Sequence, residues 1–239
     1  PGTAGTLEEL VAEAEAAGDA DTIYGRRVDV VAHYAQKFLP AQRKKLVQER
    51  TGPTFHLPRR MSKQITVDGQ LDDVFWDDVP AIALRDLRSG DKATPGTTVY
   101  MAWGDNNSLY IGFRCKEPNM QSVVDEADRG IQIFNGDNID IVLETQIHDY
   151  YQIVISPSGK LYEMDRSGMF GGKFNDAWSS GATAATHRGA KGWSVEIQIP
   201  AAGAEARKLD PVHGVAGDTP RPATPWYINL GRLRPRGGD

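Results

Sequence analysis

The stretch Phe134-Asn135-Gly136-Asp137-Asn138-Ile139-Asp140-Ile141-Val142-Leu143-Glu144 changes character in its middle. Asn, Gly and Asp tolerate left-handed backbone and bond their own main chain, so 135–138 reads as a turn. From Ile139 the chain alternates. Ile139, Ile141 and Leu143 face one way; Asp140, Val142 and Glu144 face the other. Period-two alternation predicts a strand with one buried face. An aromatic ring, Phe134, and the carboxylates Asp137 and Asp140 converge where this strand begins.

The same pattern recurs on both sides. Upstream, Val99, Met101 and Trp103 alternate with Tyr100 and Ala102. After the turn residues Asp105-Asn106-Asn107-Ser108, Leu109, Ile111, Phe113 and Cys115 alternate with Tyr110, Gly112, Arg114 and Lys116. This pair predicts an antiparallel hairpin. Downstream, 150–156 pairs back on 139–144, and Pro157-Ser158-Gly159 turns the chain into 160–165. Trp193, Val195, Ile197 and Ile199 form another strand that Pro200 ends, and 226–232 is the last one. Ile65-Thr66-Val67 reads as a strand entering a turn at Asp68-Gly69, after which a short helical turn places Trp76 as a plug. Residues 118–136, with a helical turn around 122–127, the glycine-rich 168–175 and the Pro/Gly-rich 208–225 read as loops. Many short strands with turns between them indicate a mainly β protein, an antiparallel β-sandwich over 63–239.

Residues 1–50 are of another kind. Thr6-Leu7-Glu8-Glu9 is a capping box, and Leu7, Leu10, Val11 and Ala14 keep helical spacing. A second apolar stripe runs through Ile23, Val30, Val31, Tyr34 and Phe38. Two or three such helices cannot bury their stripes alone, so they are expected to pack on the following domain or to end an upstream one. Pro53 and Pro58 mark 51–62 as a linker.

The bulk numbers narrow the function classes. Of the 239 residues, 40% are hydrophobic and 25% charged, and the net charge is -5. That balance provides no basic field for nucleic acid or an anionic membrane. No apolar run approaches the roughly 20 residues that span a bilayer. The chain starts at Pro1 without a signal-like segment, which suggests a mature or excised piece. Cys115 is the sole cysteine, so no internal disulfide forms; its apolar context predicts a buried, inert thiol. No nucleophile motif and no marked carboxylate pair appears, so the chain is not expected to be an enzyme.

What remains is binding chemistry. A sugar offers C–H faces to aromatic rings and hydroxyls to carboxylates and amides. Asp137, Asp140, Gln152, Glu196, Asn229 and Arg232 lie on strands or strand ends and suit that task beside the Phe134 ring, with Arg232 holding Glu196 in place. The competing reading is a structural ion-pair network. Asp68, Asp72, Asp73, Asp77 and Asp78 are dense enough to suggest calcium, or merely a capped turn.

The order of motifs resembles a family 9-type carbohydrate-binding module. Ile65-Thr66-Val67-Asp68-Gly69 with Trp76, Val99-Tyr100-Met101-Ala102-Trp103 and Leu109-Tyr110-Ile111 open the series. Gly136-Asp137-Asn138-Ile139-Asp140-Ile141, Tyr150-Tyr151-Gln152-Ile153, Gly192-Trp193-Ser194-Val195-Glu196-Ile197 and Trp226-Tyr227-Ile228-Asn229 with Arg232 continue it. The resemblance covers roughly 63–234. It implies a sugar-binding β-sandwich attached to a bacterial polysaccharide-degrading enzyme, extracellular or periplasmic, needing no cofactor but sometimes carrying structural calcium. It implies a ring clamped between two aromatics. Phe134 matches the first, and Asp140 matches a carboxylate contacting hydroxyls. The second lies beyond Asp239, as does the last strand, unless Trp178 or Phe174 replaces it. The helices resemble, less specifically, the closing helices of large glycoside hydrolase-like proteins. Two other roles are consistent with such a sandwich: a structural docking module for an enzyme domain, or a haem b carrier using Met101, Met164, His148 or His187.

Overall fold

The computed structural model describes residues 53–125, 127–146, 148–166, 175–203 and 214–235. The expected helices, Arg236 to Asp239, Phe174 and most of the glycine-rich loop lie outside these residues. The chain divides into two compact units between His56 and Leu57, and the second, Leu57–Asp239, holds every strand of the described residues.

Among the described residues ten strands make two sheets. The larger joins β1 (Arg59–Arg60), β3 (Thr97–Gly104), β4 (Ser108–Lys116), β9 (Gly192–Pro200) and β8 (Thr183–Gly189) in that order, with β2 (Ile82–Ala83) also on β3. The smaller has the order β10 (Tyr227–Leu233), β5 (Asn138–Glu144), β6 (Asp149–Ile155), β7 (Leu161–Asp165). All pairings are antiparallel except β1 with β3. The sandwich expected from alternation is therefore the fold found.

The two inner faces meet in one apolar core. Val99, Met101, Ile111, Phe113, Val195, Ile197 and Ile199 come from the larger sheet; Ile139, Ile141, Leu143, Tyr151, Ile153 and Ile155 come from the smaller. Burying such a side chain contributes about 1.5–3 kcal/mol, so alternation and sheet stacking reinforce one another. Cys115 lies in this core, and burial pushes its thiol up to about 12.

A second cluster covers the outer face of the larger sheet. Leu71, Phe75, Trp76 and Val79 pack on Ala102 and Tyr110. Val74–Trp76 is a 3-10 turn, and Trp76 is the expected plug. Close packing demands small partners: a Cβ on Gly112 would sit 2.3 Å from Leu71 Cδ2, and one on Gly69 2.5 Å from the Thr186 carbonyl carbon. Gly69 also has φ +90, which favours glycine.

Three expectations shift. Ile65-Thr66-Val67 is not a strand; Ile65 and Val67 lean on the second cluster as part of the plug. The end of the expected linker is strand β1, and Pro58 O accepts from Trp103 N at 2.9 Å. The helical turn expected around 122–127 in the loop before β5 is found on either side of that stretch, as 3-10 turns at Met120–Ser122 and Ala127–Asn135, so Phe134 lies near the end of a helical segment.

Candidate functional site

Register places side chains on faces, because residues paired directly across strands share one. On the outward face of the smaller sheet, Gly231 of β10, Asp140 of β5, Val154 of β6 and Tyr162 of β7 form one row. Asn229, Val142, Gln152 and Met164 form the next. Phe134 reaches this face from the helical segment and meets Tyr162 edge-on, with ring centroids 6.3 Å apart and planes at 87°. Val154, Gln152 and Met164 are buried, whereas Tyr227, Asn229 and Leu233 along β10 are exposed. The face is thus covered over β6 and β7 and open along the β5–β10 side.

The polar centre of the face is Asp140. Gln152 Nε2 donates to Asp140 Oδ1 at 2.8 Å and Oδ2 at 2.9 Å. Gln152 Oε1 accepts from Arg166 Nη1 at 2.6 Å. Burial raises the Asp140 carboxyl above its ordinary range, and the Gln152 bond and the Arg166 charge oppose that rise. A half-buried acceptor on the same face as two aromatic rings, which lie two strands across the sheet, and near an exposed amide, Asn229, can hold a neutral polyhydroxylated ring.

Other predicted residues are elsewhere. Asp137 is buried: its Oδ2 accepts from Val124 N at 2.9 Å while its own N donates to Val124 O at 2.8 Å. It staples the preceding loop to the head of β5. Trp178 is only 3% exposed, stacks on Tyr151 at 4.4 Å and 15°, and donates from Nε1 to Gly214 O at 3.0 Å. Its ring is part of the core and has no free face for a sugar.

Arg232 pairs across β10 with Ile139, a core residue, so it points between the sheets and away from Asp140. It does not hold Glu196. Its guanidinium donates to Lys116 O at 2.9 Å, Thr97 Oγ1 at 3.2 Å and Glu117 Oε2 at 3.3 Å. Arg234 Nε donates to the same Glu117 oxygen at 2.8 Å. This buried group ties the end of the smaller sheet to the larger one. Glu196 is fully buried on the opposite side, where it accepts from Gly69 N at 2.8 Å, Asp68 N at 2.9 Å, Leu71 N at 3.2 Å and Trp76 Nε1 at 2.7 Å.

The calcium set does not assemble. Among the described residues no three His, Cys, Asp or Glu side chains gather as a metal site. Asp68 accepts from Gln70 N at 2.9 Å and Gln70 Nε2 at 2.8 Å, and Asp73 Oδ2 from Thr66 N at 2.8 Å. Asp72, Asp73, Asp77 and Asp78 do border a cleft of about 370 Å³, but Arg114 lines it too, its guanidinium 5.4 Å over the Tyr100 ring. A fixed positive charge there opposes a cation. The haem ligand candidates do not converge. Met101 is in the core, Met164 is buried on β7, His187 is exposed on β8, and His148 Nε2 lies 2.8 Å from Asp165 Oδ1.

Sequence reasoning missed Tyr162 and Arg166. Both lie in or just after the Leu161–Asp165 strand, and Tyr162 shares its alternation with the buried Met164. Only the register of β5, β6 and β7 puts Tyr162 in the row of Asp140 and brings Arg166 to the Gln152 side chain.

Comparison with known proteins adds the fold. No known family's sequence profile matches the chain, and no curated protein matches it in sequence. A solved candidate carbohydrate-binding protein from Bacteroides uniformis shares the architecture, with TM-score 0.52, 12% identity, and coverage of 79% of this chain and 87% of that one. Two structures of a family 9 carbohydrate-binding module from Caldicellulosiruptor kristjanssonii also match. The glucose complex gives TM-score 0.40, 14% identity, 62% of this chain and 70% of that one. The cellotriose complex gives TM-score 0.39, 14% identity, 60% and 67%. No helix of the described residues is long and apolar enough to cross a membrane.

Proposed function

We propose that the outward face of the smaller sheet binds carbohydrate and performs no chemistry on it. One observation carries this reading: Asp140 sits within a cross-strand row ending at Tyr162, with Phe134 against that ring, while the β10 side of the face stays exposed. Phe134 and Tyr162 supply the apolar platform. Asp140 and Gln152 supply acceptor and donor, and Asn229 supplies an amide at the open rim. Asp137 and Arg232 hold the frame on which these groups sit. The fold shared with a candidate carbohydrate-binding protein supports the same reading.

In this role the domain brings a linked polysaccharide-degrading enzyme, upstream in the parent chain, to its glycan outside the cytoplasm. Affinity electrophoresis against soluble polysaccharides, followed by a glycan array, tests it with the whole chain and its natural flanks. Retardation that is lost in Phe134→Ala and Asp140→Ala supports it. Migration unchanged by every polysaccharide would favour a docking module instead.

A further inference from the structure

Arg166 is absent from every motif that marks the face, yet it joins the polar chain that runs through Gln152 to Asp140. An amide side chain has two ends of opposite polarity, and nothing in Gln152 itself chooses between its two flips. The surroundings choose. The Arg166 guanidinium has donors only, so the contact at 2.6 Å fixes the neighbouring Gln152 atom as the carbonyl oxygen. The amino end must then face Asp140, where it reaches both carboxylate oxygens at 2.8 and 2.9 Å. A carboxylate that receives a donor on each oxygen, with a guanidinium behind that donor, is favoured in its charged form. The other groups on this face do not act this way. Glu144, two positions along the same side of β5, is acidic; Tyr162 is a neutral phenol whose titration burial pushes up; and β10 brings only Gly231 across from Asp140.

We propose that Arg166 is a positioning residue: it sets the orientation of the Gln152 amide and so keeps Asp140 an acceptor for the hydroxyls of a neutral sugar. The second half of this statement rests on the carbohydrate reading; the first half does not. Arg166 acts through Gln152 and needs no contact with sugar.

The test compares Arg166→Met, which keeps the apolar stem and removes the donor, with Arg166→Lys, which restores one donor and the charge. The contact is a single bond, so lysine can replace it. The first readout needs no sugar. NMR follows the Gln152 side-chain amide resonances and the carboxyl carbon of Asp140 through a pH titration. In Arg166→Met the amide resonances move and the Asp140 midpoint rises, because a charge that opposes the effect of burial is gone; Arg166→Lys returns both toward the natural protein. Unchanged amide resonances and midpoint in Arg166→Met, in a protein with an unaltered melting curve, would overturn the assignment. If Arg166→Met does not fold, Gln152→Glu replaces it: a carboxylate between Arg166 and Asp140 raises the Asp140 midpoint if the chain is as described, and an unmoved midpoint overturns it. The second readout is calorimetric titration with cellotriose and with the oligosaccharides an array identifies. Arg166→Met weakens binding about tenfold, as expected for one charge-assisted bond, and Arg166→Lys recovers most of it. Binding insensitive to both variants would overturn the role in recognition. Absence of all sugar binding, with the NMR changes present, would remove the carbohydrate reading and leave the orienting role of Arg166 in place.

Discussion

Glu196 and Asp140 are both outward-facing strand carboxylates flanked by apolar alternation, one on each sheet of the same sandwich. Their fates are opposite. Glu196 is 0% exposed because the segment from Ile65 to Val79 folds over its sheet and turns three backbone amides and the Trp76 indole toward it. Asp140 accepts from the Gln152 amide and lies beside an open strand. The difference teaches that a carboxylate in an alternating strand is neither a site nor a structural group by itself. Whatever covers the sheet decides. A carboxylate surrounded by backbone donors is used up by the fold, while one that a single side chain orients can still accept from a ligand.

The comparison breaks most sharply at Glu196. Glu196→Ala leaves several buried donors unsatisfied, each costing about 1–3 kcal/mol. Chemical denaturation should show a loss of several kcal/mol, whereas Asp140→Ala should cost much less, since it strands only the Gln152 amide, and should act mainly on sugar affinity. Equal stability losses at the two positions would erase the distinction. Trp178→Ala follows. Its ring fills the core against Tyr151, so a loss of about 3–5 kcal/mol is expected, again by denaturation.

Phe134→Ala should be milder in stability and visible in binding. An aromatic contact is worth about 0.5–1.5 kcal/mol, so calorimetry should show a severalfold weaker sugar affinity while circular dichroism stays the same. An unchanged affinity would move the platform elsewhere on the face.

Acidity offers a further test at Asp140. Burial holds the Asp140 carboxyl above its ordinary range. As pH falls through the raised value, Asp140 takes up a proton, loses its charge and stops acting as a full acceptor. Sugar affinity should therefore decline in acid before ordinary carboxylates titrate. Folding responds with the opposite sign: the native state holds this proton more tightly than the unfolded chain, so protonation of Asp140 adds slightly to stability over the same window. Affinity measured across that window, beside melting curves, checks both signs. The smallest effect concerns Cys115. With its thiol at about 12 and its side chain in the core, a thiol reagent at neutral pH should label it only after denaturation.

Much of the fold was legible because alternation is a local signal. Val99 to Cys115, Ile139 to Ile155 and Trp193 to Ile199 carry it, and each became a strand or hairpin with the expected inward face. Strand β8 was not legible. Thr183-Ala184-Ala185-Thr186-His187-Arg188-Gly189 lacks large apolar residues, and it is a strand because β9 offers it a free edge. Ile65-Thr66-Val67 departs the other way: its side chains suit a strand, but Glu196 holds the neighbouring backbone at Asp68 and Gly69, and the segment covers the sheet instead of joining it. The candidate site was legible in part. Phe134, Asp140, Gln152 and Asn229 reach the outward face or its rim, while Asp137, Trp178 and Arg232 went to the frame and the core.

The sequence by itself determined the class of the protein: turn residues and period-two alternation can be satisfied only by strands that bury one face. It also named the residue types that could meet a sugar. Tertiary structure alone decided which carboxylate is spent and which is left. That choice depends on pairs far apart in the chain, Glu196 with Asp68 to Trp76, and Asp140 with Gln152 and Arg166. No local pattern records which of two similar faces the chain will cross and cover.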